Sequence, residues 1–150
     1  MGMLRIGRGE YVLAEGYLRR SLAKRRTDNA LNELAWVLAN QMKYDEAESC
    51  AREALAINPN HPFAWDTLGY ILSRTARNAE AEKAFRTAIG MAFHYSAPFL
   101  HLGELMLRQR RWEDAQDIVN LLQKRRQYLH ASEKADVDGL ERRLRSAKKN

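Results

Sequence analysis

Hydrophobic and polar positions between residues 62 and 95 form two short helical patterns joined by a polar connector. Four residues of the first pattern are separated by three, one and three positions, which puts them on one face of a helix. They are Trp65, Leu68, Gly69 and Leu72. The second pattern places Ala81, Phe85 and Ala88 on one face of another helix. Because the connector RTARNAE is polar and short, the stretch predicts a helical hairpin with facing apolar stripes.

The same pattern recurs one period of 34 residues upstream and downstream, in 28–61 and 96–129. The upstream equivalents are Leu31, Leu34, Ala35 and Leu38, then Ala47, Ala51 and Ala54. The downstream equivalents are Phe99, Leu102, Gly103 and Met106, then Ala115, Val119 and Leu122. Small residues stand where the two helices approach closely, and large residues fill the spaces between them. The chain is therefore expected to contain three consecutive hairpins.

This pattern resembles the tetratricopeptide repeat, which reads W-x2-L-G-x2-Y and then A-x3-F over about 34 residues. Leu72 stands where that pattern has Tyr. The resemblance implies an all-α fold, a right-handed superhelical α-solenoid of helical hairpins, with residues 1–150 forming a single domain. It covers 28–129 with good motifs and 10–27 with poor ones, whereas 130–150 rests on helical pattern alone.

A helix is predicted over residues 10–26, ahead of the first repeat. Its broad apolar stripe consists of Val12, Leu13, Tyr17, Leu18 and Leu22. Ala14, Leu18 and Ser21 align with Ala47, Ala51 and Ala54 at a spacing of 33. We interpret this segment as the degenerate second helix of a missing repeat, covering the first hairpin. Residues 1–9, with three glycines, are predicted to be disordered.

The pattern changes after Arg126, where a capping helix and a basic tail are predicted over 130–150. Ser132 is the predicted N-cap, and Val137, Leu140 and Leu144 form a narrow apolar stripe. Such a stripe suits a helix that closes the exposed apolar face of the last repeat.

Composition narrows the class of protein. Hydrophobic residues make up 45% of the 150 residues, enough for a continuous core. The one cysteine, Cys50, excludes a disulfide framework and a cysteine-rich metal site. The sequence has neither an 18-residue apolar run nor a secretory signal. These features favour a cytoplasmic chain, whereas a domain cut from a longer exported protein would fit the cell envelope.

Charge is unevenly distributed along the chain, which has a formal net charge of +6. Residues 1–27 hold seven Lys/Arg and two Asp/Glu, net +5, and residues 123–150 hold nine and four, also net +5. The segment 28–122 holds nine and thirteen, net −4. Nucleic-acid binding needs a basic stripe along the binding surface, which the repeats do not supply. An acidic partner or a membrane surface could still use the basic ends.

Catalytic motifs are missing from the sequence. None of His61, His94, His101 and His130 forms a pair with the i, i+4 spacing of a helical metal site. There is no G-x-S-x-G and no glycine-rich phosphate loop. We therefore expect neither an enzyme nor a metal or other cofactor.

In the resembled family, the first-helix positions that the core leaves unused line a concave binding groove. The corresponding residues here are Asn32, Glu33, Trp36, Asn40, Asp66, Thr67, Tyr70, Arg74, Leu100, His101, Glu104 and Arg108. Trp36, Tyr70 and Glu104 form one column at a spacing of 34. Aromatic rings beside amides suit a peptide, because rings supply contact area at low entropy cost. The alternative is that Trp36 and Tyr70 pack against a neighbouring helix.

The family's best understood groove clamps the C-terminal carboxylate of heat-shock chaperones with lysines, asparagines and an arginine. The corresponding residues here differ from that clamp, so we do not expect chaperone-tail binding. They are Asn32, Trp36, Thr67, Ala97 and His101. The favoured function is an adaptor or scaffold that holds a protein or peptide segment in the groove. The alternatives are an assembly module that oligomerises through its end helices, a secretion-type chaperone, and binding of nucleic acid or an acidic surface through the basic termini.

Overall fold

The structure is a computed structural model that describes residues 8–149, and this part of the chain is entirely helical. Its α-helices, α1 to α8 in chain order, are Arg8–Lys24, Asp28–Asn40, Tyr44–Ile57, Pro62–Arg74, Asn78–Met91, Ala97–Arg108, Trp112–Lys124 and Ala131–Ala147, with a 3₁₀ turn at Arg126–Tyr128. The predicted all-α fold is confirmed. Residues 1–7 of the segment expected to be disordered lie outside the described residues, whereas Arg8 and Gly9 belong to α1, so for these two the prediction is wrong.

The described chain divides into two compact units, residues 8–92 and 93–149. In the first unit, α2 and α3 form one hairpin and α4 and α5 form the next, while α1 packs on α2 as α3 packs on α4. In the second unit, α6 and α7 form a hairpin and α8 packs against both helices. The single-domain organisation stays a prediction.

Close helix contacts explain the small residues of the repeat. Ala47, Ala51 and Ala54 of α3 are fully buried. A Cβ atom added to Gly69 would lie 2.6 Å from Cδ1 of Phe85, well inside van der Waals contact. Only glycine therefore lets α4 approach the Phe85 ring of α5 this closely.

The turn inside each hairpin uses the left-handed backbone conformation without glycine. Met42, Ala76 and Arg110 have φ angles of 62°, 62° and 60°, and they recur every 34 residues. In each turn the following N–H donates to the carbonyl oxygen five residues earlier, as from Arg77 to Leu72 at 3.0 Å. These are Schellman turns, in which glycine is the usual residue at the left-handed position.

Helix starts mostly match the sequence. Oγ1 of Thr27 accepts from the backbone N–H of Ala30 at 3.2 Å and caps α2. Pro62 and Pro98 stand in the first turns of α4 and α6. The acidic residues predicted for the first turns of α3, α5 and α7 are also found there.

Helix α8 closes the second unit, but its cap differs from the predicted one. Val137, Leu140 and Leu144 are buried as expected. The N-cap is His130 rather than Ser132, because Oε2 of Glu133 accepts from the His130 N–H at 2.7 Å and starts the helix two residues earlier.

Helix α1 starts and ends two residues earlier than predicted, and only part of its apolar stripe is buried. Leu22 is 6% exposed, whereas Val12, Leu13 and Tyr17 are 60%, 64% and 65% exposed. The expectation that the whole stripe covers the first hairpin is wrong, because the stripe is wider than the surface that α2 presents.

Candidate functional site

Eight of the predicted site residues lie on the first helices of the two hairpins in residues 8–92. We call the surface that they mark the α2–α4 face. Its residues are Asn32, Glu33, Trp36, Asn40, Asp66, Thr67, Tyr70 and Arg74. Because α2 packs against α4, equivalent positions of the two repeats become neighbours on this face.

The centre of the α2–α4 face is an aromatic pair. The ring centroids of Trp36 and Tyr70 lie 5.0 Å apart with an interplanar angle of 50°. Both side chains are half-buried, so each ring packs on the other and still presents part of its surface to solvent. The pair thus combines the two roles that the sequence left as alternatives.

Arg74 borders the aromatic pair at the C-terminal end of α4. Its guanidinium carbon lies 5.9 Å from the Tyr70 ring centroid, within the range of a cation–π contact. Nε of Arg74 also donates to the Tyr44 hydroxyl oxygen at 3.5 Å. Tyr44 begins a second helix, so sequence reasoning based on first helices did not find it.

Two amides flank the aromatic pair on α2. Nδ2 of Asn40 donates to the carbonyl oxygen of Trp36 at 2.7 Å, which fixes the orientation of this side chain. Oδ1 of Asn32 is buried and has no hydrogen-bond donor among the described residues. A buried acceptor without a donor costs about 1–3 kcal/mol, so this amide gains from any ligand donor that it can reach by rotating.

Asp66 and Thr67 are more buried than a ligand-contacting residue needs to be. They are 3% and 5% exposed. A ligand approaching the α2–α4 face therefore meets their neighbours first, and a direct role for these two residues stays a prediction.

A second polar cluster joins the two repeats near the start of α4. His61 is 5% exposed, its Nδ1 accepts from the Ala64 N–H at 3.3 Å, and its Nε2 lies 3.0 Å from Oδ1 of Asn29. This pairing assigns the proton to Nε2. The ring of Phe63 meets His61 edge-on at 5.9 Å and is 48% exposed. His61 thus serves the structure by capping α4 and linking it to α2.

The remaining predicted site residues lie on α6, in residues 93–149. Leu100, His101 and Glu104 are half-buried and Arg108 is exposed. Oε1 of Glu104 accepts from Nη2 of Arg143 on α8 at 2.6 Å. The sequence gave no sign of this pair, because the two residues are separated by 39 positions and their contact depends on how α8 docks.

Arg125 stands between two aromatic rings in the same unit. Its guanidinium carbon lies 4.4 Å from the Phe93 centroid and 5.1 Å from the Phe99 centroid. Burial lowers the pKa of Arg125 from its ordinary value, partly opposed by the negative charge of Glu133. Because Nη1 of Arg125 is buried without an acceptor in the described chain, this cluster serves packing rather than ligand contact.

Groups suited to metal binding were sought in residues 8–149. Within this range, no three His, Cys, Asp or Glu side chains come together in a way that would hold a metal ion.

The helices of the described residues were also compared with the thickness of a bilayer. From residue 8 to residue 149, no helix combines the length and the apolar content that crossing a membrane requires.

Sequence comparison identifies the repeats. Residues 29–61 and 64–95 each match a sequence model described as the tetratricopeptide repeat. A TPR repeat-containing protein of Pseudomonas aeruginosa is 34% identical over 105 residues, which make up 68% of this chain. The matched part is 18% of that relative, so the chain spans less than a fifth of its length.

Solved structures of the same fold have lower sequence identity. The thermophilic TPR protein TTC0263 of Thermus thermophilus has a TM-score of 0.69 and 17% identity, covering 93% of this chain and 71% of that one. The first TPR domain of Spaghetti (RPAP3), bound to the HSP90 peptide SRMEEVD, has a TM-score of 0.63 and 19% identity, covering 78% of this chain and 92% of that one. Both likenesses support a fold of stacked helical hairpins.

Proposed function

Because the chain belongs to the tetratricopeptide-repeat family, we propose that it is a non-enzymatic protein-interaction module that binds a peptide segment of a partner on its α2–α4 face. Repeat proteins of this architecture use extended surfaces to bind other chains. A similarly folded domain carries a bound peptide in its solved structure. In this role the chain acts as an adaptor or scaffold.

The half-exposed pair of Trp36 and Tyr70 carries the proposal. Two rings in contact form a rigid apolar surface, so binding on them costs little side-chain entropy. We expect an apolar or aromatic side chain of the partner to pack there. Asn32 then offers an acceptor to a backbone N–H of the peptide, and Arg74 offers a positive charge to an acidic side chain or a carbonyl oxygen.

Chaperone tails do not fit the chemistry of this face. At the α2 and α4 positions of the clamp the chain has Asn32, Trp36 and Thr67, none of which carries a positive charge. A carboxylate needs charge-assisted hydrogen bonds for tight binding. We therefore expect the peptide SRMEEVD to bind this chain no better than a scrambled peptide.

Nucleic-acid binding through the basic termini is a weaker candidate. Several arginines of the two ends already pair with acidic side chains of the chain itself. They are Arg19, Arg26, Arg126, Arg143 and Arg145. Each such pair reduces the charge that is available to phosphates. Binding that does not weaken as salt rises would exclude this candidate.

The proposal is tested by site-specific cross-linking of the wild-type fold. A photoreactive amino acid replaces Asn40 beside the aromatic pair, or Lys83 on the exposed side of α5 as the control. A partner that cross-links at position 40 and not at position 83 supports the α2–α4 face as the binding surface. Cross-links at position 83 only, or at both positions equally, would contradict it. Sequencing of the cross-linked peptide then identifies the bound segment.

A further inference from the structure

Helix α1 carries an apolar surface that the rest of the described chain leaves uncovered. Val12, Leu13 and Tyr17 are each at least 60% exposed. They share one side of the helix with Gly16 and Arg20, since these positions are three to five residues apart. Three large exposed apolar side chains in contiguous helical positions mark an interaction site more often than a solvated surface.

Comparison with the second helices of the repeats shows that this surface is unusual. At the positions of Val12 and Leu13, the three repeats have Asp45 and Glu46, Ala79 and Glu80, and Glu113 and Asp114. An acidic side chain there also stabilises the helix N-terminus, by about 0.3–1 kcal/mol. Helix α1 forgoes this gain and exposes Val12 and Leu13 instead.

Helix α1 also lacks the hairpin partner that every second helix of the repeats has. Ala47 and Ala51 of α3 are fully buried. Their counterparts in α1, Ala14 and Leu18, are only half-buried, and Ser21, the counterpart of Ala54, is exposed. One side of α1 packs on α2, and the side that would meet a first helix is open.

We propose that α1 of a second copy of this chain covers this surface, in an antiparallel pair related by a two-fold axis. The helices of a hairpin are also antiparallel, so the second copy takes the place of the missing first helix. With the axis between residues 16 and 17, Gly16 of one copy faces Tyr17 of the other. A Cβ atom on Gly16 would meet nothing within 4 Å in the single chain, so the glycine leaves room for the partner's tyrosine ring.

Charge favours the antiparallel arrangement over a parallel one. The C-terminal part of α1 and the residues after it are basic, with Arg20, Lys24 and Arg25, whereas Glu10 lies in the first turn. An antiparallel pair places Glu10 of each copy beside Lys24 of the other. It also separates the two basic ends by about 25 Å, the length of a 17-residue helix. That distance is about three Debye lengths at physiological salt, so repulsion between the ends is screened.

The pair is expected to be weak. Two single helices bury less than the roughly 800 Å² per partner of a standard stable interface. We therefore expect a dissociation constant in the micromolar range, with dimers forming only at high protein concentration. This self-association uses a surface separate from the α2–α4 face, so either proposal can fail alone.

Sedimentation equilibrium of the full chain over a wide concentration range tests the pair. Leu13→Arg, and separately Tyr17→Ser, should raise the dimer dissociation constant at least tenfold, whereas Tyr128→Ser should leave it unchanged. Tyr128 is a suitable control because it is 77% exposed and lies outside α1. A chain that stays monomeric at every concentration, or a dimer indifferent to both α1 variants, would overturn the proposal.

A charge exchange then tests the orientation. Glu10→Lys and Lys24→Glu should each weaken the dimer, because each places like charges opposite one another across the two-fold axis. The double variant restores opposite charges and should recover the wild-type dissociation constant. Failure of the double variant to recover would overturn the antiparallel pair. A mixture that contains only monomer would instead indicate that a first helix of some other chain is the occupant.

Discussion

The rings of Trp36 and Tyr70 are in contact, with centroids 5.0 Å apart, at the same position of two successive repeats. One period of 34 residues thus brings two aromatic side chains together on α2 and α4. The contact stabilises the stacking of the repeats, and the half-exposed outer surface of the pair remains accessible to a ligand.

The ring contact predicts energetic coupling between the two residues. We expect Trp36→Ala and Tyr70→Ala each to lower the free energy of unfolding, with a coupling energy of about 0.5–1.5 kcal/mol. Chemical denaturation of both single variants and the double variant measures it. Additive effects would show that the rings do not stabilise each other.

Gly69 should not tolerate a methyl group. Because a Cβ atom there would lie 2.6 Å from the Phe85 ring, Gly69→Ala is expected to lower the free energy of unfolding by about 1–3 kcal/mol. The matched control is Gly90→Ala in α5, where a Cβ atom meets nothing within 4 Å. Alanine suits a helix better than glycine by up to about 1 kcal/mol, so the control should be neutral or stabilising. Destabilisation of both variants by the same amount would exclude the ring clash as the cause.

The left-handed turn at Ala76 offers the opposite test. With a φ angle of 62°, alanine is strained there and glycine is not, so Ala76→Gly should raise the free energy of unfolding by about 1 kcal/mol. Lys83→Gly, on the exposed side of α5, should instead lower it by up to about 1 kcal/mol. Thermal unfolding of the two variants measures both effects. A lower melting temperature for Ala76→Gly would contradict the strained turn.

Glu15 predicts an acid-sensitive link between α1 and the first hairpin. Hydrogen bonds from Lys43, and also from Gln41 and Arg19, lower the pKa of Glu15 to about 2, against an opposing effect of burial. Between this value and the ordinary pKa of about 4.5, the unfolded chain binds more protons than the folded one. The stability that Glu15 contributes is therefore present above pH 4.5 and is lost as the pH falls toward 2.

Comparison of the wild type with Glu15→Gln measures this contribution. The variant should be less stable than the wild type at pH 7, and the difference should shrink by pH 3, as measured by urea denaturation at both values. Glu113→Gln, at an exposed glutamate of α7, is the control for general effects of charge removal. A difference that is independent of pH would contradict the role of Glu15.

The sequence predicted the elements whose residues repeat with the helical period. Trp65, Leu68 and Phe85 lie on the predicted helices, and the small residues stand at the close contacts, because burial of an apolar stripe selects residue size at fixed positions. The turns at Met42, Ala76 and Arg110 escaped prediction because none of these residues prefers the left-handed conformation. Their conformation is imposed by the helices on either side.

The candidate site was less predictable than the core. Position within the repeat located Trp36, Tyr70 and Arg74 on one face, but it did not distinguish the half-exposed rings from the buried Asp66 and Thr67. Burial at these positions depends on how neighbouring side chains fill space. The Tyr44 and Arg143 contacts were missed for a related reason, since they depend on helix docking rather than on spacing along one helix.

Peptide binding on the α2–α4 face is the central claim, and calorimetric titration tests it most directly. The segment of the partner that cross-links at position 40, made as a synthetic peptide, is titrated into the wild type, the Trp36→Ala/Tyr70→Ala variant and a Tyr128→Ala control, each shown by circular dichroism to be folded. We predict that the double variant binds at least tenfold more weakly, a loss of about 1.4 kcal/mol or more, and that the control binds like the wild type. Equal affinity of the folded double variant would contradict the claim and place the binding surface elsewhere on the chain.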